Sequence, residues 1–156
     1  MIRKAKIADT KQIYGLIMEF ANKEEMLPRS LSELYDNLRD FFVFEEAGKV
    51  SGCCALHVIW EDLGEIRSLA VKTEKQGKGI GAKLVEACIE EMSQIGLSKV
   101  FALTYKPEFF ERKGFFRIDR AELPHKVWAI CIKCPKFPDC GEVPVMYKTK
   151  TNMEVE

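Results

Sequence analysis

Three groups of residues in this chain could do chemistry. The first is the run Gln76-Gly77-Lys78-Gly79-Ile80-Gly81, with glycines at alternate positions. Glycine lets the backbone curl tightly, and the N–H groups that open a helix have no partner within it, so such a run can hold an anion. Lys78 adds a mobile positive charge. The second group is Glu65 and Arg67, two charges on an otherwise apolar stretch, where an inward charge is costly without a partner. The third is Cys131, Cys134 and Cys140 with His125 upstream. These are four soft side chains around one Cys-x-x-Cys, which either hold a metal ion or are ordinary thiols.

The glycine run alone leaves several readings open, a plain turn among them. Gly77-Lys78-Gly79-Ile80-Gly81-Ala82 also spells a dinucleotide fingerprint. That motif begins at the strand end, whereas residues 73–76 intervene here, and Phe101-Ala102-Leu103-Thr104-Tyr105 offers none of the acidic residues it wants about twenty positions on. A Walker loop fails because Ala82-Lys83-Leu84 stands in place of Gly-Lys-Ser/Thr.

The elements that must position these residues follow from periodicity. Residues 65–72 read as a buried strand and 80–95 as a long amphipathic helix closed by Gly96, so the glycine run joins strand to helix. Alternation along the strand would put Glu65, Arg67, Leu69 and Val71 on one face. Upstream, residues 2–7 alternate as an edge strand. Asp9-Thr10-Lys11-Gln12 has the form of a capping box opening a helix with Ile13, Leu16, Ile17 and Phe20 inward. Pro28 breaks the chain, and Ser30-Leu31-Ser32-Glu33 caps a second helix that carries Leu34, Leu38 and Phe41 inward. Residues 42–46 and 49–60 form a hairpin about Ala47-Gly48, which gives three antiparallel strands with the central one. Residues 99–104 form a strand parallel to the central one, because a helix crosses between them. Pro107 opens a short helix to Arg112, Gly114 ends it, and 115–118 begin another strand.

The chain of 156 residues is long enough for one domain with a sizeable core. We assign that domain to 1–147 and read the polar stretch 148–156 as a loose tail. With 24 basic and 24 acidic residues the net charge is zero, so no global field draws the chain to nucleic acid or an anionic membrane. No apolar run approaches the about twenty residues of a membrane span, and no secretory core follows Met1-Ile2-Arg3-Lys4. A cytoplasmic protein with reduced or metal-bound cysteines is expected.

With Leu69-Ala70-Val71 ahead of it, Gln76-x-x-Gly79-x-Gly81 resembles the acetyl-CoA pyrophosphate loop of the GCN5-related N-acetyltransferases, and the resemblance spans roughly residues 1–120. It implies a mixed α/β sheet, antiparallel at its N-terminal end, with a parallel pair at the centre and helices on both faces. It also implies that a bulge splays the central strand, that the backbone of Leu69, Ala70 and Val71 pairs with the pantetheine arm, and that Gln76, Gly77, Lys78, Gly79, Ile80 and Gly81 hold the pyrophosphate. The first helix pair would wall the acceptor site. Some family members carry a catalytic glutamate four residues before the position of Leu69, which marks Glu65 as general base. The family's Tyr-x-x-x-Gly-Phe segment reads Phe110-Glu111-Arg112-Lys113-Gly114-Phe115 here, so the acid hydroxyl is missing. Phe110 is then a cofactor contact, and Tyr105, where the parallel strands part, is the substitute acid.

Gly64-Glu65-Ile66-Arg67-Ser68-Leu69-Ala70-Val71, Phe109 to Phe115 and Leu123-Pro124-His125-Lys126-Val127-Trp128 together resemble the stand-alone amino-acid N-acetyltransferases that make N-acetylglutamate for arginine synthesis. That resemblance implies L-glutamate as acceptor, with Arg67 and Lys126 taking its two carboxylates. Another amine, a coenzyme A-binding sensor without turnover and a metal-stabilised interaction module are the alternatives. A homodimer stays open.

Overall fold

The computed structural model describes residues 1–125, 127 and 141–149. Apolar and β-branched residues between tight turns make residues 41–71 a run of antiparallel strands. Strand β2 (Phe41–Glu46) reverses at Ala47 and Gly48, whose φ of 50° and 78° are the left-handed pair that a two-residue hairpin needs, into β3 (Lys49–Trp60) and then β4 (Leu63–Val71). The short β1 (Ile2–Lys4) pairs antiparallel with β2. Helix α3 (Ile80–Ile95) crosses over to β5 (Lys99–Thr104), which makes β4 and β5 parallel, as expected. Among the described residues the sheet has seven strands in the order β1-β2-β3-β4-β5-β7-β6, with β6 at Phe116–Arg117 and β7 at Val143–Lys148.

Helices α1 (Thr10–Ala21) and α2 (Leu31–Asp36) cover one face of the sheet, and α3 covers the other. On the first face Ile13, Ile17 and Leu34 pack on Val43, Cys53, Ala55 and Ala70. On the second, Leu84, Val85, Cys88 and Met92 pack on Cys54, Leu56, Ile66 and Val100. The short α4 (Pro107–Glu111) brings Phe110 into this second layer. None of the described helices is long and apolar enough to cross a membrane.

Four local expectations change. β1 ends at Lys4 rather than at residue 7, because a tight helical turn at Ile7–Asp9 follows it. Asp9 stands at the start of α1 but does not cap it through its side chain. Its carboxylate instead accepts from the Lys6 N–H at 2.7 Å and from both terminal nitrogens of Arg3, at 2.7 and 3.0 Å. A bidentate guanidinium binds a carboxylate more strongly than a helix N–H does. The second helix ends at Asp36, so Leu38 and Phe41 are buried from a turn and from β2 rather than from the helix. Finally, β7 was not legible as a strand. Lys148 is its last residue, and 150–156 lie outside the described residues.

Candidate active site

The site is built on an irregularity in β4. Cys53 pairs with Ala70 but Ala55 pairs with Arg67, so Ser68 and Leu69 together oppose Cys54 alone, and Ser68 takes φ 58°. This bulge overturns the single-face expectation for Glu65, Arg67, Leu69 and Val71. One extra residue shifts the alternation by one, and everything beyond it changes sides. Leu69 and Val71 therefore pack towards α3, whereas Ala70 packs towards α1 and α2. Glu65 and Arg67, before the bulge, share the α1 and α2 face with Ala55 and His57, their partners across the β3–β4 ladder.

The same strand parts from its parallel neighbour. β4 and β5 pair only over Leu63–Glu65 and Lys99–Phe101. Beyond that point β4 stays with β3, while β5 follows β7 through the Thr104–Val143 pair. The split opens above the start of α3, where Gly77 and Gly79 take φ of 81° and 82° with nothing within 4 Å of an added Cβ. Gly79 is the helix N-cap, and the first N–H groups of α3 follow it. Gln76 anchors the loop by donating from Nε2 to the Val71 carbonyl at 3.0 Å. Lys78 is exposed, Ile80 is buried as the first helical residue, and Gly81 lies against the Phe109 ring. A sterically open turn with helix N–H groups and a lysine suits a pyrophosphate.

Phe110, expected near the cofactor, is 5% exposed and stacks edge-on with Phe109 and Phe115 at 5.2 and 5.1 Å. Of the two neighbouring rings it is Phe109 that lies nearer the loop. Tyr105 is exposed just past the end of β5, with Gly141 beside its ring. His125 is exposed, while Lys126, Cys131, Cys134 and Cys140 lie outside the described residues. Within the described residues no group of three or more histidine, cysteine and acidic side chains could hold a metal.

On the opposite face of the bulge a pocket is lined by Arg29, Glu33, Asp40, Phe41, Arg67 and Ser68, among others. Arg67 Nη1 lies 3.6 Å from Glu65 Oε1, and Arg29 Nη1 lies 3.6 Å from Glu33 Oε2. Both separations exceed a charge-assisted hydrogen bond, so both guanidiniums keep donors for a ligand. Arg3, by contrast, is saturated by Asp9 and Glu45 at 2.7 and 2.6 Å. Burial pushes the Glu65 carboxyl above the ordinary carboxylate range, and Arg67, Arg29 and His57 work against that rise. Burial lowers the Arg67 pKa from the arginine range, and Glu65 opposes it. The site thus joins an open glycine turn on one side of β4 to two guanidiniums and a largely shielded carboxylate on the other.

Sequence reasoning missed Arg29, Asp40 and His57. Two faint signals were present. Arg29 places a cation just before the N-cap Ser30, the wrong end of a helix for positive charge, and His57 interrupts an apolar strand.

A model described as the acetyltransferase (GNAT) family matches residues 7–115. The chain belongs to this family. An uncharacterized N-acetyltransferase from Chlorobaculum tepidum is 40% identical over 148 residues, 95% of each chain. An amino-acid acetyltransferase from Mycobacterium tuberculosis is 38% identical over 82% of this chain and 75% of its own length. Among solved structures, N-acetylglutamate synthase from Neisseria gonorrhoeae, complexed with coenzyme A and N-acetyl-glutamate, superposes with a TM-score of 0.87 at 29% identity. The match covers 95% of this chain and 34% of the synthase. This GNAT chain is accordingly an N-acetyltransferase with acetyl-CoA as cosubstrate.

Proposed function

We propose that the acceptor is the α-amine of a dicarboxylic amino acid, L-glutamate, so that the product is N-acetylglutamate, made in the cytoplasm for arginine synthesis. The observation that carries this is the pair Arg29 and Arg67, two guanidiniums that line one pocket and hold back from their acidic neighbours at 3.6 Å. Two forks matched to two carboxylates fit a dicarboxylate better than a cationic lysine or polyamine. The relatives named amino-acid acetyltransferase support the same reading. Arg29 takes a place beside Arg67 in this proposal, and Lys126 remains a third cation from the sequence.

Acetyl-CoA supplies the activated acyl group. The backbone of Leu69, Ala70 and Val71 at the split orients it, and Gln76, Gly77, Lys78, Gly79, Ile80 and Gly81 take the pyrophosphate. Glu65 removes the proton that keeps the acceptor ammonium from attacking, a task suited to a carboxylate made more basic by burial. The N–H near Val71 donates to the thioester oxygen as it gains charge. Tyr105 is the group to protonate the leaving thiolate. A screen of free amino acids, lysine peptides and polyamines, read as thiol released from acetyl-CoA, tests the acceptor. L-Glutamate should give the highest kcat/KM. Preference for lysine or a polyamine would overturn the glutamate reading and leave the acetyltransferase intact.

A further inference from the structure

The acceptor face holds one titratable pair that the reaction above does not use. His57 Nδ1 lies 2.6 Å from Asp40 Oδ2. Asp40 closes the turn after α2 and lines the same pocket as Arg29 and Arg67. His57 stands directly opposite Glu65 in the β3–β4 ladder, on the same side of the sheet. Cβ atoms of residues so placed are about 4.5–5.5 Å apart. The imidazole makes no direct contact with the Glu65 carboxylate, a gap that one water can bridge.

The stoichiometry of acetylation calls for an exit. An ammonium acceptor loses two protons in becoming an amide and the leaving thiolate takes one, so every turnover exports one proton. Glu65 cannot shed it readily, because its side chain is 15% exposed, whereas that of His57 is 29% exposed. A carboxylate on Nδ1 fixes the ring and its tautomer and leaves Nε2 to gain and lose the proton.

We propose that His57, held by Asp40, is the proton outlet of Glu65. The ammonium N–H breaks as an O–H forms on Glu65. That O–H then breaks as Nε2–H forms on His57 through one bridging water, and the imidazolium gives its proton to bulk buffer. The step moves protons only and needs no further reactant. Asp40 from the turn contacts the imidazole; Arg67 from β4, Arg29 ahead of α2 and Glu142 ahead of β7 act with His57 on Glu65, and Glu33 of α2 acts on Arg67. This inference rests on Glu65 as the base and not on which amine is acetylated.

The test uses the full chain, acetyl-CoA and the best acceptor from the screen, both saturating, in weak buffer. His57→Gln keeps a hydrogen-bonding partner for Asp40 but cannot relay a proton. Its kcat should fall about tenfold or more with KM changed less than about twofold, a split that a lost structural contact would not produce. Imidazole should restore His57→Ala in a saturable way and leave the wild type unchanged. Asp40→Asn should show a smaller loss and a displaced pH–rate profile. If His57→Gln turns over within about twofold of the wild type, or if His57→Ala is slow, keeps its Tm and ignores imidazole, the outlet is refuted. Should Glu65→Gln itself prove silent, it is the base assignment that fails, a result separable from silence in the His57 variants alone.

Discussion

Glu65 is largely shielded from solvent beside cations, and that placement gives the site its expected pH behaviour. A general base must be ionised, so kcat/KM should decline as pH drops through the Glu65 pKa, which burial has raised above the ordinary carboxylate range. Glu65→Gln should remove this acid limb and lower kcat by about 10²–10⁴-fold, as measured by a pH–rate profile. Arg67→Gln removes the largest opposing charge. The carboxylate is then less favoured, its pKa rises further, and the acid limb moves to higher pH. The same variant should lower kcat/KM for glutamate about tenfold or more, at about 1.4 kcal/mol per tenfold. Arg67→Lys restores the charge and hence the limb, but not the bidentate fork, so most of the affinity defect should persist. A limb unmoved by Arg67→Gln would mean that Glu65 is not the titrating group. By contrast Cys53, its thiol pushed up to about 12 by burial, is held in the unreactive protonated form.

Among the elements, the proposal gives α2 the acceptor and the turn into α3 the acetyl-CoA pyrophosphate, and the two can be perturbed separately. Ser30 Oγ accepts from the Glu33 N–H at 3.1 Å while Glu33 Oε1 accepts from the Ser30 N–H at 3.1 Å. Loss of this box in Ser30→Ala should cost about 1 kcal/mol. It should raise the acceptor KM, because Arg29 and Glu33 flank the cap, and leave acetyl-CoA affinity as it is. Gly79→Asp should do the reverse. A side chain at φ 82° is strained, and its carboxylate would sit among the N–H groups meant for an anion. Calorimetry should show acetyl-CoA affinity lower by about tenfold or more, with the circular dichroism spectrum kept. Gly79→Ala separates strain from charge, and undiminished affinity in Gly79→Asp would take the pyrophosphate role from this loop.

For the whole molecule, the unexpected feature is that a late segment is an interior strand. β7 pairs with β5 from Lys99–Lys148 to Thr104–Val143 and separates β5 from β6. It gives β5 a partner as far as Thr104, beyond the point where β4 and β5 part. A chain ending at residue 142 would lose this partner and expose Val100 and Phe101, both fully buried. It should fail to give a cooperative melt. Val145→Ala, at a fully buried position, should cost about 2 kcal/mol and show as a lower Tm with the catalytic pH profile unchanged. What the sequence by itself determined was local: the hairpin at Ala47-Gly48, the Ser30 box, α3 between two left-handed glycines, and the glycine turn ahead of it. Each of these is decided by interactions within a few residues. Tertiary structure alone decided that Leu69 and Val71 face away from Glu65 and Arg67, because the bulge at Ser68 and Leu69 depends on register against β3 rather than on propensity. It alone brought Arg29 to Arg67 and Asp40 to His57, since segments distant in sequence meet only where buried surface holds α2 on the sheet. It alone placed Val143–Lys148 inside the sheet between β5 and β6, because pairing partners that stand tens of residues away carry no local signature.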